Sequence, residues 1–203
     1  MRPSMIQTYS GNAQKTDVIS HRSIARIACL ARLARWMRFG HAAPMSLESV
    51  RSFFATHAPD IEIIETEQSS ATVPLAALAH GVDPDQIAKT ICLRAGDVML
   101  LVVMSGNSRI DNKKFRSVFS AKPRMLSGDE VMAATGHPIG GVCPFGLATE
   151  LQVYCDLSLR DYPEVVPAAG ATNAAIRIDP ERLAELTKAF WIDCASRTDS
   201  SAG

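Results

Sequence analysis

Apolar residues recur every three or four positions in several segments, and each segment follows a residue that commonly caps helices. Ser46, Thr72, Asp111 and Asp179 precede such segments, and Ser127 stands in the S-x-x-E spacing of a capping box. These signals predict helices over residues 46–57, 73–80, 112–119, 128–135 and 180–188.

Extended patterns rich in β-branched residues lie between these helices. They predict strands over 61–65, 89–94, 98–104, 151–155, 164–166 and 174–178. Ala95-Gly96-Asp97 separates the second and third strands and indicates a hairpin or near-hairpin. Because helices interrupt strands that partly follow one another as hairpins, the pattern favours an α/β (α+β) fold with a mixed, largely antiparallel sheet. Lys89 stands at the entrance of a strand.

Length and composition support a single compact domain. A chain of 203 residues that is 47% hydrophobic can bury one sizeable core, which we expect to span residues 45–196, with 197–203 as a disordered tail. The longest apolar run, 98–104, is far shorter than the roughly 20 residues that a membrane-spanning helix needs. Five cysteines without a CxxC pair argue against a disulfide framework or a zinc site. We expect a cytoplasmic protein without a membrane partner.

Charge is distributed unevenly along the chain. Residues 1–44 carry seven Lys and Arg against one acid, a formal charge of +6, and the remainder carries −6. Arginines spaced three and four apart in residues 22–39 would form a basic amphipathic helix that touches RNA or a membrane, or a transit sequence. The favoured interpretation is a disordered extension or a start-site artefact that precedes a domain beginning at Met45.

Common catalytic signatures are absent from the sequence. There is no GxxxxGK-type phosphate loop and no GxGxxG, HExxH or GxSxG motif. The five histidines lie too far apart in sequence to indicate a metal cluster, and among them His137 alone borders a loop rich in Gly and Pro.

Three segments together carry a resemblance to a known family. They are residues 86–90 (QIAKT), 107–114 (NSRIDNKK) and 136–146 (GHPIGGVCPFG). In order and spacing they resemble the YbaK-type aminoacyl-tRNA deacylases, which include free-standing editing proteins and the editing domain inserted in bacterial prolyl-tRNA synthetases. The resemblance covers nearly all of residues 45–195.

The resemblance implies hydrolysis of the ester that joins a small non-cognate amino acid, such as Ala, Cys, Ser or Thr, to tRNA. It implies water as the nucleophile, no metal and no cofactor. The pocket lysine of the family falls on Lys89 and its GxxxP loop on residues 140–144, so Lys89, Gly140 and Gly141 are the expected catalytic residues. Expected partners are aminoacylated tRNA and an aminoacyl-tRNA synthetase, with no DNA.

Elementary chemistry is compatible with these assignments. A lysine can hold a carbonyl oxygen, and a glycine pair lets backbone amides approach the same oxygen. Pro144 would stiffen the loop. The alternative is a solvated lysine at a strand end and a purely structural turn.

Further residues are candidates for contact with the substrate, and the loop includes a cysteine that would permit covalent catalysis. We expect water rather than this thiol to attack. The candidate substrate-binding residues are Thr90, His137, Val142, Cys143, Pro144, Gly170 and Asn173.

A basic cluster begins within the second motif and extends to residue 124, and Asp111 is the only acid in this span. Its members are Arg109, Lys113, Lys114, Arg116, Lys122 and Arg124, and we expect the first four to bind tRNA phosphates. A solvated helix face is the alternative. At the level of function, the alternative is a non-catalytic module of the same fold that binds tRNA or a synthetase.

Overall fold

A computed structural model describes residues 46–197, so the basic segment at 22–39, Met45 and the last six residues lie outside the described part. Within it the α-helices are α1 (Ser46–His57), α2 (Val73–His80), α3 (Asn112–Phe119), α4 (Gly128–Thr135) and α5 (Pro180–Thr187). None of these helices is long and apolar enough to cross a bilayer.

Ten strands and two short 3-10 helices complete the described fold. The strands are β1 (Ile64–Glu65), β2 (Ile87–Ala95), β3 (Val98–Ser105), β4 (Ser108–Ile110), β5 (Pro123–Met125), β6 (Gln152–Asp156), β7 (Val166–Pro167), β8 (Ala174–Ala175), β9 (Phe190–Ile192) and β10 (Ala195–Arg197). The 3-10 helices are Pro84–Gln86 and Leu157–Asp161.

Six strands form a central sheet in the order β5-β2-β3-β6-β9, with β7 also paired to β2. β2 and β3 pair antiparallel over eight residue pairs, whereas β6 runs parallel to both β3 and β9. Four of the seven strand pairings in residues 46–197 are antiparallel. The predicted mixed, largely antiparallel α/β fold is therefore confirmed.

The helices begin where their capping residues predicted. The carboxylates of Asp111 and Asp179 each accept hydrogen bonds from two backbone amides, and Ser127 and Glu130 form the reciprocal capping box. Each cap stabilises its helix by about 1 kcal/mol. α4 ends at Gly136, whose φ of +76° is the left-handed conformation that glycine adopts readily.

Both faces of the central sheet are buried, and β3 shows which residues share a face. Leu101 and Val103 pack with α1, α4 and α5, whereas Met104 and its neighbours on the same face pack with α3. Directly opposed residues of paired strands share a face. Lys89 lies opposite Met104 and Thr90 opposite Val103, so Lys89 belongs to the α3 face and Thr90 to the other.

The shortest strands differ from the prediction. β1 and β8 contain two residues each, against predicted strands of five, and four strands of three residues were not predicted. So short an element carries too little alternation to be recognised. Arg197, which was expected in the tail, lies in β10 and pairs with Ser108 of β4.

Candidate active site

A cavity of about 380 Å³ opens at the edge of β2. β2 forms one wall, and the others come from the start of α2, the segment before it, the loop after α4, and β7 and β8. Its lining is mostly small or aliphatic, with a few polar side chains: Ser70, Thr72, Lys89 and Thr90. An apolar pocket with few convergent polar groups is typical of a small-molecule site.

β2 presents unpaired backbone to this cavity. β7 pairs with the first two residues of β2 and β5 with its last three, and no described strand covers the edge between them. Ala95 and Val98 flank a two-residue turn and form a hydrogen-bonded pair. Counting back along β2 from Ala95, every second residue has its backbone N–H and C=O directed to β3, and the residues between them have these groups directed to the other edge. The backbone N–H and C=O groups of Thr90 and Cys92 therefore point to the cavity edge.

The Lys89 ammonium is held by the turn between β3 and β4. Nζ donates to the carbonyl oxygens of Gly106 at 2.7 Å and Ser108 at 2.6 Å. An ammonium has three donors, so one N–H has no partner among the described residues. Burial lowers the pKa of Lys89, the nearby Arg109 lowers it further, and Asp85 opposes both. Lys89 can offer one positively charged donor from a fixed position.

Thr90 is the second polar group on this strand. Its Oγ1 is buried and has no hydrogen-bond partner in residues 46–197. A buried hydroxyl without a partner costs about 1–3 kcal/mol. A ligand that bonds to Oγ1 would recover part of that cost.

Gly140 and Val142 bring the predicted loop to the cavity. Gly140 has φ +86°, and a Cβ there would lie 2.8 Å from the Cβ of Ala71. The amide of Gly141 already donates to the carbonyl of Pro138 at 2.9 Å. Gly140 thus lines the cavity, whereas the Gly141 amide closes a turn, and the catalytic role of the two glycines stays a prediction.

His137, Cys143 and Pro144 lie behind this loop and do not line the cavity. Nδ1 of His137 is 2.7 Å from Ser46 Oγ, and Nε2–H donates to the carbonyl of Phe145 at 2.9 Å. Burial lowers the pKa of His137 and raises that of Cys143 to about 12. In this structure the loop buries these three residues, and their contact with substrate stays a prediction.

Gly170 and Asn173 also support the site from outside the cavity lining. Gly170 has φ +84°, and a Cβ there would meet the backbone oxygen of Ser46 at 2.6 Å. Asn173 Nδ2 donates to the carbonyl of Thr66 at 3.1 Å, which fixes the segment leading to α2. Both residues hold the cavity walls in place, and their contact with substrate stays a prediction.

The predicted tRNA-binding residues divide into two groups. Arg109, Lys113 and Arg116 are exposed. Lys114 instead forms an ion pair with Asp193 at 2.7 Å and donates to the carbonyl of Ala195. Three of the four side chains therefore present charge to solvent.

Several cavity residues were not predicted from the sequence. Ser70 and Thr72 reach the cavity because backbone pairing with residues 172–175 holds their segment there. Met125 and Ile139 are 66% and 67% exposed and also line it. Their separation along the chain hides this convergence, although large apolar residues in polar turn segments are a usable signal.

Metal ligands and reactive thiols are further groups on which a catalytic site can depend. No three His, Cys, Asp or Glu side chains between 46 and 197 are placed to share a metal ion. Cys92 lines the cavity, and burial raises the pKa of its thiol. The absence of a metal from the reaction stays a prediction.

Comparison with known proteins decides the family. The sequence profile of the aminoacyl-tRNA editing domain matches residues 67–186, more than half of the chain. The chain belongs to the aminoacyl-tRNA editing domain family. This editing-domain protein is 48% identical over 151 residues to the uncharacterised protein YwhH of Bacillus subtilis strain 168, covering 73% of the chain and 96% of YwhH.

Two further similar proteins have names that refer to prolyl-tRNA synthetase. The chain is 32% identical over 118 residues to a proline–tRNA ligase of Shouchella clausii, covering 57% of the chain but 21% of the ligase. A solved structure described as a candidate trans-editing enzyme for prolyl-tRNA synthetase has a TM-score of 0.70 and 32% identity, covering 77% of this chain and 99% of that one.

Proposed function

We propose that this protein is a cytoplasmic trans-editing hydrolase that releases a small, wrongly attached amino acid from tRNA. The observation that carries the proposal is the apolar cavity at the β2 edge, which Lys89 and Thr90 line and where the β2 backbone is unpaired. Membership of the editing-domain family and the likeness to a candidate trans-editing enzyme support it.

In the proposed reaction, water attacks the ester carbonyl carbon. Negative charge develops on the carbonyl oxygen, and the third N–H of Lys89 and a backbone N–H from the β2 edge stabilise it. The carbon–oxygen bond to the terminal ribose then breaks, the ribose oxygen takes a proton, and free amino acid and uncharged tRNA leave. The neighbouring ribose hydroxyl assists the attacking water. The thiol of Cys143 takes no part, because burial raises its pKa to about 12.

Side-chain size is the proposed basis of selection. Alanines at 71, 76, 168, 174 and 175 line the cavity and make much of its wall apolar. One methylene group is worth about 1–3 kcal/mol in an apolar pocket, so a hydrolytic site of limited size can remove what a synthetase confuses. Ala, Cys, Ser and Thr are the candidate amino acids.

Arg109, Lys113 and Arg116 are the proposed contacts to tRNA phosphates. They are exposed, and Arg109 lies near enough to Lys89 to lower its pKa. Positive side chains that neutralise phosphates give affinity that falls with salt. An aminoacyl-tRNA synthetase is a further proposed partner, which would deliver the mischarged tRNA.

The test is a panel of tRNAPro molecules charged with Ala, Cys, Ser, Thr or Pro, incubated with the full-length protein. We expect at least one non-cognate ester to lose its amino acid well above the spontaneous rate and Pro-tRNA to resist. Salt-sensitive tRNA binding without hydrolysis of any member would contradict the enzyme and favour a non-catalytic tRNA-binding module.

A further inference from the structure

The mouth of the cavity carries two large apolar side chains that the proposed ester chemistry does not use. Exposed large hydrophobic side chains in residues 46–197 include Met125, Met132 and Ile139, and of these three only Met125 and Ile139 line the cavity. Side chains 66% and 67% exposed contribute little to the core. Their exposed apolar surface is therefore available to a ligand.

These two side chains come from different segments that pack together. Ile139 Cδ1 lies 3.4 Å from the position that a Cβ on Gly128 would occupy, and Gly128 is three residues beyond Met125. We call Met125 and Ile139 the apolar rim. It borders the same opening that leads to Lys89 and Thr90.

Positive charge leads up to this rim. Lys122 is exposed, and the side chain of Arg124 is 65% exposed even though it lies 3.5 Å from Glu130. β5, which contains Arg124 and Met125, contacts α3, whose exposed face carries Lys113 and Arg116. Basic residues that end at an apolar platform match a single-stranded nucleic acid, in which phosphates alternate with exposed base faces.

We propose that the apolar rim holds the base of the unpaired 3′-terminal nucleotide of RNA, while its ribose points into the cavity. This inference rests on the proposed function and adds a contact that fixes the ester relative to Lys89. Met125 and Ile139 act as positioning residues: they touch the base and leave the reacting atoms to the β2 edge.

Binding of the single-stranded RNA trinucleotide CCA, labelled at its 5′ end, tests the rim without any ester. The variant carries Met125→Ser and Ile139→Ser, and Met132→Ser is the matched control, since Met132 is 45% exposed but does not line the cavity. We expect the double variant to bind CCA about tenfold more weakly, or about 1.4 kcal/mol. The Met132→Ser control should bind CCA as tightly as the wild type. A trinucleotide in which the 3′-terminal base is missing should bind equally to the wild type and the double variant.

Hydrolysis of the preferred mischarged tRNA gives the second readout. The double variant should show a raised KM and a lowered kcat, because the substrate loses both affinity and its position relative to Lys89, and thermal unfolding should confirm that the variant is folded. Equal CCA binding by the wild type and the double variant would overturn the proposed binding of the base by the rim. The same result would be obtained if the rim bound a protein instead of RNA. Rim-dependent CCA binding without ester hydrolysis would support the rim and contradict the proposed deacylase.

Discussion

Replacing Lys89 by methionine removes the ammonium and keeps an unbranched apolar stem. The carbonyls of Gly106 and Ser108 lose their donor in this variant. Both residues are buried, and a buried acceptor without a partner costs about 1–3 kcal/mol. Removing an ammonium whose pKa burial lowers offsets part of that cost. We expect Lys89→Met to lower the free energy of unfolding by about 1–3 kcal/mol, which lowers Tm by on the order of 5 °C.

The expected loss of activity is larger than this loss of stability can explain. Removing one donor to a developing oxyanion lowers kcat by about 10²–10³-fold, or about 2.7–4 kcal/mol. A domain with about 5–15 kcal/mol of stability stays folded after losing 1–3 kcal/mol. A hundredfold fall at 25 °C would therefore report on the chemical step.

Single-turnover hydrolysis of the preferred mischarged tRNA, paired with thermal unfolding, separates the two effects. Lys188→Met is the matched control, because Lys188 is exposed and does not line the cavity. A folded Lys89→Met protein that hydrolyses the ester at the wild-type rate would refute the assigned role. Lys89 would then only fix the β3–β4 turn.

Three other changes have distinct expected results. Gly140→Ala should abolish most activity, because its Cβ would clash across the cavity wall, whereas Gly96→Ala, at φ +60° in open space, should cost stability only; kcat/KM and Tm of both variants check this. Burial lowers the pKa of His137 from 6.5, so the unfolded chain binds more protons below that pH, and the free energy of unfolding should fall as pH drops below about 6.5. Denaturant unfolding of His137→Gln should show a shallower fall, and an unchanged slope would contradict the assignment. Lys113→Glu and Arg116→Glu should each raise KM for tRNA and reduce the salt slope by about 1, measured from 50 to 200 mM salt; unchanged slopes would indicate a solvated face.

The fold was predictable wherever local signals were strong. Asp111, Ser127 and Asp179 mark helix starts because their side chains bond amides two or three residues away, within reach of any local sequence pattern. The strand predicted over 174–178 was too long, because β8 pairs over only two residues with β1, which lies more than 100 positions earlier in the chain. Such pairing depends on tertiary contacts that periodicity does not encode.

The candidate site was predictable in part. Lys89, Thr90 and Gly140 do line one cavity, although they are separated along the chain. His137 was predicted to contact substrate because it borders the loop. In the structure it is buried, and both of its ring nitrogens form hydrogen bonds within the protein, to Ser46 and to Phe145. A residue that builds a pocket and one that faces it are hard to distinguish before the chain is folded.

A crystal structure of the full-length protein with a non-hydrolysable amide analogue of alanyl-adenosine would test directly whether the β2-edge cavity holds the ester next to Lys89. We expect the analogue in the β2-edge cavity, with its carbonyl oxygen about 3 Å from Lys89 Nζ. An analogue bound elsewhere, or with its carbonyl turned away from Lys89 and the β2 edge, would contradict it.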